Sequence, residues 1–318
     1  MLITLECNLR THARLFLYLL IGSLSVCQAQ TISIIVPYTA GGVTDRVARA
    51  LEKTLTQRLP YNFVIEYQTG AGGIIAANTL AKNKSKETVL LVHSSAIVTN
   101  AFNSNSTYDI VQDFTPVARM GSLPMVLVAN RNRGITTFKQ LSETRYPIFY
   151  STNGIGTANH VAGEILRQQI NKDLIPVFYK GESVAFNDVL NNTVPLMFTS
   201  VSLVASYVNS NQISILAVTG KTRNESLPLV PTFAEQKIQG FDQSPNWSIL
   251  LANAGADSAI ISKIKNALID SFSNSLDREL YKHAGLEPNS NPTTNVKEFI
   301  NEELHRMKLI YNQLQLQK

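Results

Sequence analysis

The 318-residue sequence has little of what most catalytic or nucleic-acid-binding chains need. It holds two cysteines, Cys7 and Cys27, both within the first 29 residues, and a single tryptophan, Trp247. A chain that loses those 29 residues has no disulfide, no thiol nucleophile and no thiolate metal site. Charged residues make up 16% of the chain and the net charge is +5, with no basic run that would trace a nucleic-acid backbone. His93, His160, His283 and His305 stand apart, with no H-x-x-x-H or H-x-H pair, so no zinc site is expected. Gly42 is followed by Val43-Thr44-Asp45 with no lysine, which is not a Walker loop. Gly154-Ile155-Gly156-Thr157-Ala158-Asn159 lacks the final glycine of a dinucleotide fingerprint. No G-x-S-x-G elbow occurs. We expect no cofactor, no metal and no nucleic-acid partner.

Long apolar runs are equally scarce. Leu15 to Leu24 (LFLYLLIGSL) is the longest, and it is too short to span a bilayer as a stable anchor. Arg10, His12 and Arg14 precede it, and Val26-Cys27-Gln28-Ala29-Gln30 follows. That layout reads as a secretory signal peptide over residues 1–29, cleaved after Ala29. The alternatives are a buried N-terminal helix, or a lipoprotein signal ending at Cys27, where Val26 would replace a small residue. Cleavage removes two arginines and one glutamate, so the net charge falls from +5 to +4. The bias towards small anionic ligands is weak. The rest is long enough for one large domain or two medium ones, and 44% hydrophobic residues suffice for a core.

Short apolar runs alternate with amphipathic stretches. Strands are expected at Ile32–Val36, Phe63–Tyr67, Val89–Val92, Val126–Ala129, Ile148–Ser151, Ile175–Tyr179, Val194–Thr199, Ile213–Val218 and Ser248–Leu251. Val47, Leu51, Leu55 and Leu59 mark one helical face, Val161, Ile165, Leu166 and Ile170 a second, and Ile260, Ile261, Ile264 and Leu268 a third. A last helix over 296–316 turns Phe299, Ile300, Leu304, Met307 and Ile310 to the core. This alternation predicts an α/β fold with mainly parallel sheets flanked by helices.

Two places repeat one pattern. Ile34-Ile35-Val36-Pro37 leads through Tyr38–Val43 into a helix from Thr44, and Ile148-Phe149-Tyr150 leads through Ser151–Gly156 into a helix from Thr157. Each is strand, glycine loop and helix, with a threonine expected as N-cap. Ligands of open α/β sheets sit beyond the carboxyl ends of strands, so two such lobes would bring both corners to one cleft. A helix start carries unpaired N–H donors and roughly +0.5 of a charge. Two facing starts hold an anion without lysine or arginine, and glycines admit it to the backbone. Asp45 at the first helix start disfavours a phosphate dianion and favours a carboxylate. A third cluster, Thr69-Gly70-Ala71-Gly72-Gly73, reads as close helix-on-sheet packing. His160 is either a donor to the cleft or a packed helix-end histidine. Trp247 is a partly buried wall, and a hydrolase using Ser151 and His160 stays open as an alternative.

The motifs VPYTAGGVTDRVAR (36–49), TGAGGIIAANTLAK (69–82), YDIVQDFTPVA (108–118), YSTNGIGTANHVAGE (150–164), VFYKG (177–181) and LAVTGKTRNESLPLVPTFAE (216–235) resemble, in order and spacing, the solute receptors of tripartite tricarboxylate transporters, the Bug proteins. The resemblance implies a two-lobed, type II-like periplasmic binding protein, monomeric, that closes on a small organic acid and serves a membrane permease or, alternatively, a sensor. It implies one lobe of 30–126 with 248–318 and another of 127–247, with crossings near Pro124–Val128 and Asn246–Leu250. It carries a ligand-gripping role to Tyr38, Ala40, Gly41, Gly42, Thr44, Asp45, Ser151, Thr152, Asn153, Gly154, Gly156, Thr157 and His160. The family usually has proline at Ala40, glycine or serine at Val43, an aspartate-glycine-tyrosine turn at Ser85-Lys86-Glu87, an aspartate at Pro195 and M-F-D-N at Met197–Ser200. The aspartate lost at Thr199 implies a changed second end of the ligand pocket.

Overall fold

A computed structural model describes residues 30–314, with side chains to Leu309. The expectations for the signal peptide over 1–29, for the Ile310 side chain and for helix beyond Leu314 lie outside the described residues. Eleven strands form two sheets: β1 Thr31–Val36, β2 Asn62–Tyr67, β3 Val89–Ser94, β4 Phe114–Ser122, β5 Met125–Asn130, β6 Ile148–Thr152, β7 Leu174–Phe178, β8 Leu196–Ser200, β9 Ile213–Val218, β10 Trp247–Asn253 and β11 Glu287–Pro288. The first sheet runs β11-β4-β10-β3-β1-β2 and the second β7-β6-β8-β5-β9. The helices are α1 Val43–Thr56, α2 Ile74–Lys82, α3 Ala96–Asn100, α4 Phe138–Glu143, α5 Ala158–Ile170, α6 Glu182–Leu190, α7 Val201–Val204, α8 Ser258–Ser273, α9 Ser275–His283 and α10 Val296–Leu314.

The fold is α/β with two lobes, and each sheet is mixed, with most strands running one way and a few reversed. β1 pairs in parallel with β2 and β3, and β6 with β7 and β8. β10 is antiparallel to β3 and β4, and β5 is antiparallel to β8 and β9. The cause is the chain path. β5 and β10 are the strands by which the chain enters each sheet from the other, so both start at the edge where their neighbours end. They must run backwards. Repeated strand and helix patterns do not carry that information.

The apolar helical faces explain the layers. Val47, Leu51 and Leu55 of α1 are fully buried against one face of the first sheet, with Ile261, Ile264 and Leu268 of α8 beside them. Each such side chain contributes roughly 1.5–3 kcal/mol relative to exposure. Ala76 and Ala77 of α2, with Ile300 and Met307 of α10, cover the opposite face. Val161 and Leu166 of α5 are buried as expected.

β4 has no counterpart among the sequence expectations. It holds Pro116, Arg119 and Gly121, which break an apolar run. The sheet accommodates them: a register shift between Leu250 and Leu251 falls where Pro116 pairs with Leu251, a place where a missing N–H is tolerated. A Cβ on Gly121 would lie 2.1 Å from the Glu287 carbonyl oxygen, so β11 approaches only because that residue is glycine.

The chain passes from the first sheet to the second between Ser122 and Met125, and back between Val218 and Trp247. The two passages are tied together. Leu123 N–H donates to the Asn246 carbonyl at 3.0 Å, and Ser244 Oγ donates to the Leu123 carbonyl at 2.6 Å. β1, β3, β6 and β8 all end at the gap beside this hinge, which brings their following loops face to face.

Candidate ligand site between the lobes

Three helix starts line one cavity of about 60 Å³. They are Gly42-Val43-Thr44 of α1 from the first lobe, and Thr157-Ala158-Asn159 of α5 and Gly181-Glu182-Ser183 of α6 from the second. Tyr38, Thr39, Ser94, Asn153, Lys180 and Asn246 complete the wall. No side chain caps α1 at Gly42, α5 at Thr157 or α6 at Gly181. The first N–H groups of α1 and α5 are therefore free for an anion, and each start carries roughly half a positive charge.

At the first corner the N-cap is Gly42, two residues before the expected Thr44, which is buried in the first turn. Gly41 has φ +86, a left-handed conformation that favours glycine, and it swings the chain into the helix. Asp45 does not face the cavity. Its carboxylate accepts from Gly41 N–H at 2.8 Å, from Tyr67 Oη at 2.7 Å and from Arg49 Nε at 3.2 Å. Burial pushes its pKa up, but these three partners outweigh burial and hold it below the usual carboxylate range. The charge that was expected to repel a dianion thus serves to brace the loop. Ala40 is exposed and lies off the cavity wall. Tyr38 lies on it; its hydroxyl shares a 2.9 Å hydrogen bond with Ser94 Oγ, and burial pushes its pKa up to about 12, with Ser94 opposing.

The second corner uses different groups. Thr157 Oγ1 donates to the Gly154 carbonyl at 2.8 Å and lies 3.2 Å from Thr152 Oγ1. Gly154 and Gly156 have φ +137 and +75. His160 is buried, and its Nδ1 accepts from Gly156 N–H at 3.1 Å. The proton is then on Nε2, and the ring holds the loop in place instead of donating from Nδ1 to the cleft. Burial lowers its pKa, with Glu164 opposing. Ser151 is fully buried with a long 3.4 Å contact to the Ala185 carbonyl, and Ser151 and His160 share no hydrogen bond. Of the expected residues, Tyr38, Gly42, Thr44, Asn153 and Thr157 line the cavity; Gly41, Asp45, Thr152, Gly154, Gly156 and His160 shape the loops behind it.

Thr199 was expected to leave the pocket short of a carboxylate. A carboxylate is there, from another element. Glu182 Oε1 accepts from Thr199 Oγ1 at 2.8 Å and from Ser200 N–H at 3.0 Å. Ser94, Asn159, Lys180, Glu182 and Asn246 were missed. Ser94 follows from the strand-end rule at the end of β3, and Lys180 and Glu182 from the helix start after β7. Asn246 lies on a passage between sheets and had no local signal.

The glycine cluster at 70–73 does more than pack. A Cβ on Gly73 would meet His93 Nε2 at 2.5 Å, which is the expected close approach. Gly72, however, faces the other lobe, where a Cβ would lie 3.5 Å from the Ile155 carbonyl oxygen. A Cβ on Gly181 would lie 3.4 Å from Thr39 Oγ1. Arg46 of α1 donates to Ser202 Oγ at 2.7 Å. The lobes thus touch on several sides of the cavity, and the structure is a closed one.

A larger cleft of about 670 Å³ lies at the hinge, lined by Pro124, Ser244 and Trp247. Trp247 is buried there, not at the small cavity, and its indole N–H donates to Glu303 Oε2 at 2.8 Å. Much of the charge in this cleft is self-paired, as in Arg306 with Glu303 and Lys282 with Glu225. One helix start opens into it, that of the four-residue α7, whose N-cap Ser200 also makes no side-chain cap; the longer helices α1, α5 and α6 start at the smaller cavity, the candidate ligand site.

The chain is similar to several known proteins. Protein BugT of Bordetella pertussis is 27% identical over 285 residues, covering 87% of each chain. A structure of R. palustris Rpa4515 with adipate superposes with a TM-score of 0.83 at 23% identity, covering 91% of this chain and 98% of that one. MatC of Rhodopseudomonas palustris, with bound malate, gives a TM-score of 0.79 at 23% identity, covering 89% and 99%. These likenesses establish a periplasmic-binding-protein fold. The family model described as tripartite tricarboxylate transporter family receptor matches residues 47–316. That family consists of transport receptors and not of enzymes, and the chain belongs to it.

Proposed function

We propose that this protein captures a small organic carboxylate between its lobes in the periplasm and delivers it to a permease of the tripartite tricarboxylate type. The observation that carries the reading is the convergence of uncapped helix starts, α1 and α5 from opposite lobes, on one cavity. A carboxylate placed there takes N–H groups from both lobes at once, so binding favours the closed state over the open one. The hinge is the pair of passages at 122–125 and 218–247, with lobes as the sequence divides them. The adipate and malate held by the two neighbours support a carboxylate as the class. Residues 1–29 act as the export signal.

The test is a set of thermal melts on the chain from Gln30, unfolded and refolded to strip carried ligand. The panel holds mono-, di- and tricarboxylates, amino acids, aromatic acids, phosphate and nucleotides. At 100 times its dissociation constant a ligand adds about 2.7 kcal/mol of stability, an easily read shift. A shift with carboxylates alone is expected. Shifts only with phosphate or nucleotides would overturn the reading. Loss of uptake of that carboxylate on deleting the gene, with the permease intact, tests delivery.

A further inference from the structure

The cavity wall combines unpaired donors with unpaired acceptors. The donors are the free N–H groups at the uncapped starts of α1, α5 and α6. The acceptors are side-chain oxygens. Glu182 is the first residue of α6, and its charge offsets the positive end of that helix. Its Oε1 is used by Thr199 and Ser200, while Oε2 has no protein hydrogen bond among the described residues. Asn153 Oδ1 and Asn246 Oδ1, of two further residues lining the cavity, are enclosed and have no partner among the described residues. A native protein rarely leaves several such acceptors unmatched, and a cavity that shares their wall supplies the place for the missing donor. The volume of about 60 Å³ has room for roughly four to six water-sized groups.

Resting on the carboxylate reading above, we infer that the ligand is a short monocarboxylate bearing a hydrogen-bond donor, a hydroxyl or an ammonium, and that Glu182 selects for it. The carboxylate lies on the α1 and α5 starts. The donor faces Glu182 Oε2 and the two asparagine oxygens. A second carboxylate in that position would meet Glu182 with like charge, and a methyl would leave the acceptors unmatched. Lys180, exposed at the rim, is the one cationic side chain among the described lining residues that would favour a dianion.

The test is calorimetric titration of the wild type and of Glu182→Gln with four probes: propionate, lactate, alanine and succinate. In the wild type, lactate or alanine is expected to bind at least about tenfold tighter than propionate and than succinate, the effect of one charge-assisted hydrogen bond. Comparison of lactate with alanine tells hydroxyl from ammonium. In Glu182→Gln, which keeps an acceptor for Thr199 and Ser200, the preference over succinate should collapse. Tightest binding of propionate or succinate by the wild type overturns the inference, as does an unchanged order in a folded Glu182→Gln. Should that variant fail to fold, the wild-type order alone decides. Binding of none of the four, with a response to some larger carboxylate, overturns this inference and leaves the receptor reading standing; a response to no carboxylate defeats both.

Discussion

The two corners that meet at the cavity share a backbone plan and differ in nearly every side chain behind it. Each has a strand, a glycine at positive φ, and a helix start with no side-chain cap. The first corner is braced by a carboxylate: Asp45 collects Gly41, Tyr67 and Arg49. The second is braced by a neutral imidazole: His160 takes Gly156 N–H. Each also rests on a buried histidine, His93 edge-on to Tyr38 at 5.8 Å and His160 edge-on to Phe178 at 5.5 Å. What is common is what an anion would touch; what differs only has to hold a loop still. Backbone donors presented by rigid loops are the requirement, and the brace can be of either kind.

The comparison breaks most visibly at the shared surface. At Gly42 φ is −72 and a Cβ would meet nothing nearer than the Thr39 carbonyl at 3.6 Å. Gly42→Val should therefore fold normally while its side chain blocks the α1 start. We expect carboxylate affinity to fall about a thousandfold, roughly 4 kcal/mol, with an unchanged denaturation midpoint. Normal binding by this variant would remove the first corner from the site.

The second effect is on stability and comes from the buried histidines. Burial pushes the His93 pKa down from 6.5 to about 4, and His160 shifts the same way. The unfolded chain binds a proton as pH falls through 6.5, while the folded chain resists until about 4. Stability is thus complete above pH 6.5 and is lost on acidification towards 4, by about 3 kcal/mol for His93. Urea unfolding at several pH values measures the slope, and His93→Gln should flatten it.

Smaller effects separate the corners further. Gly156→Ala places a Cβ at φ +75, 3.0 Å from Asn100 Oδ1, and should cost about 1–2 kcal/mol in stability. His160→Ala removes the acceptor for Gly156 N–H and should cost about 1 kcal/mol in stability, with a comparably small loss in affinity. If His160→Ala abolished binding instead, the imidazole would be a direct ligand contact and the two corners would not be equivalent.

The sequence made some of this legible and hid the rest for physical reasons. Both corners could be read because strand, glycine loop and helix are local patterns. Periodicity located α1, α5 and α8 because their buried faces repeat every turn. The mixed sheets were hidden, since the direction of β5 and β10 depends on where the chain crosses between lobes. β4 was hidden because packing overrides its proline, arginine and glycine. The turned-away Asp45 depended on Tyr67, 22 residues on, and the carboxylate at Thr199 came from Glu182 on a different element. Side-chain direction is a tertiary property, so residue type alone could not assign either.

The most direct test of the central claim is an amide-detected NMR titration of the refolded chain with its tightest carboxylate. The N–H resonances of Val43 and Thr44 should shift together with those of Ala158 and Asn159, along one binding curve. Shifts at one corner only, or at neither while the ligand binds, would contradict a carboxylate held between the two helix starts.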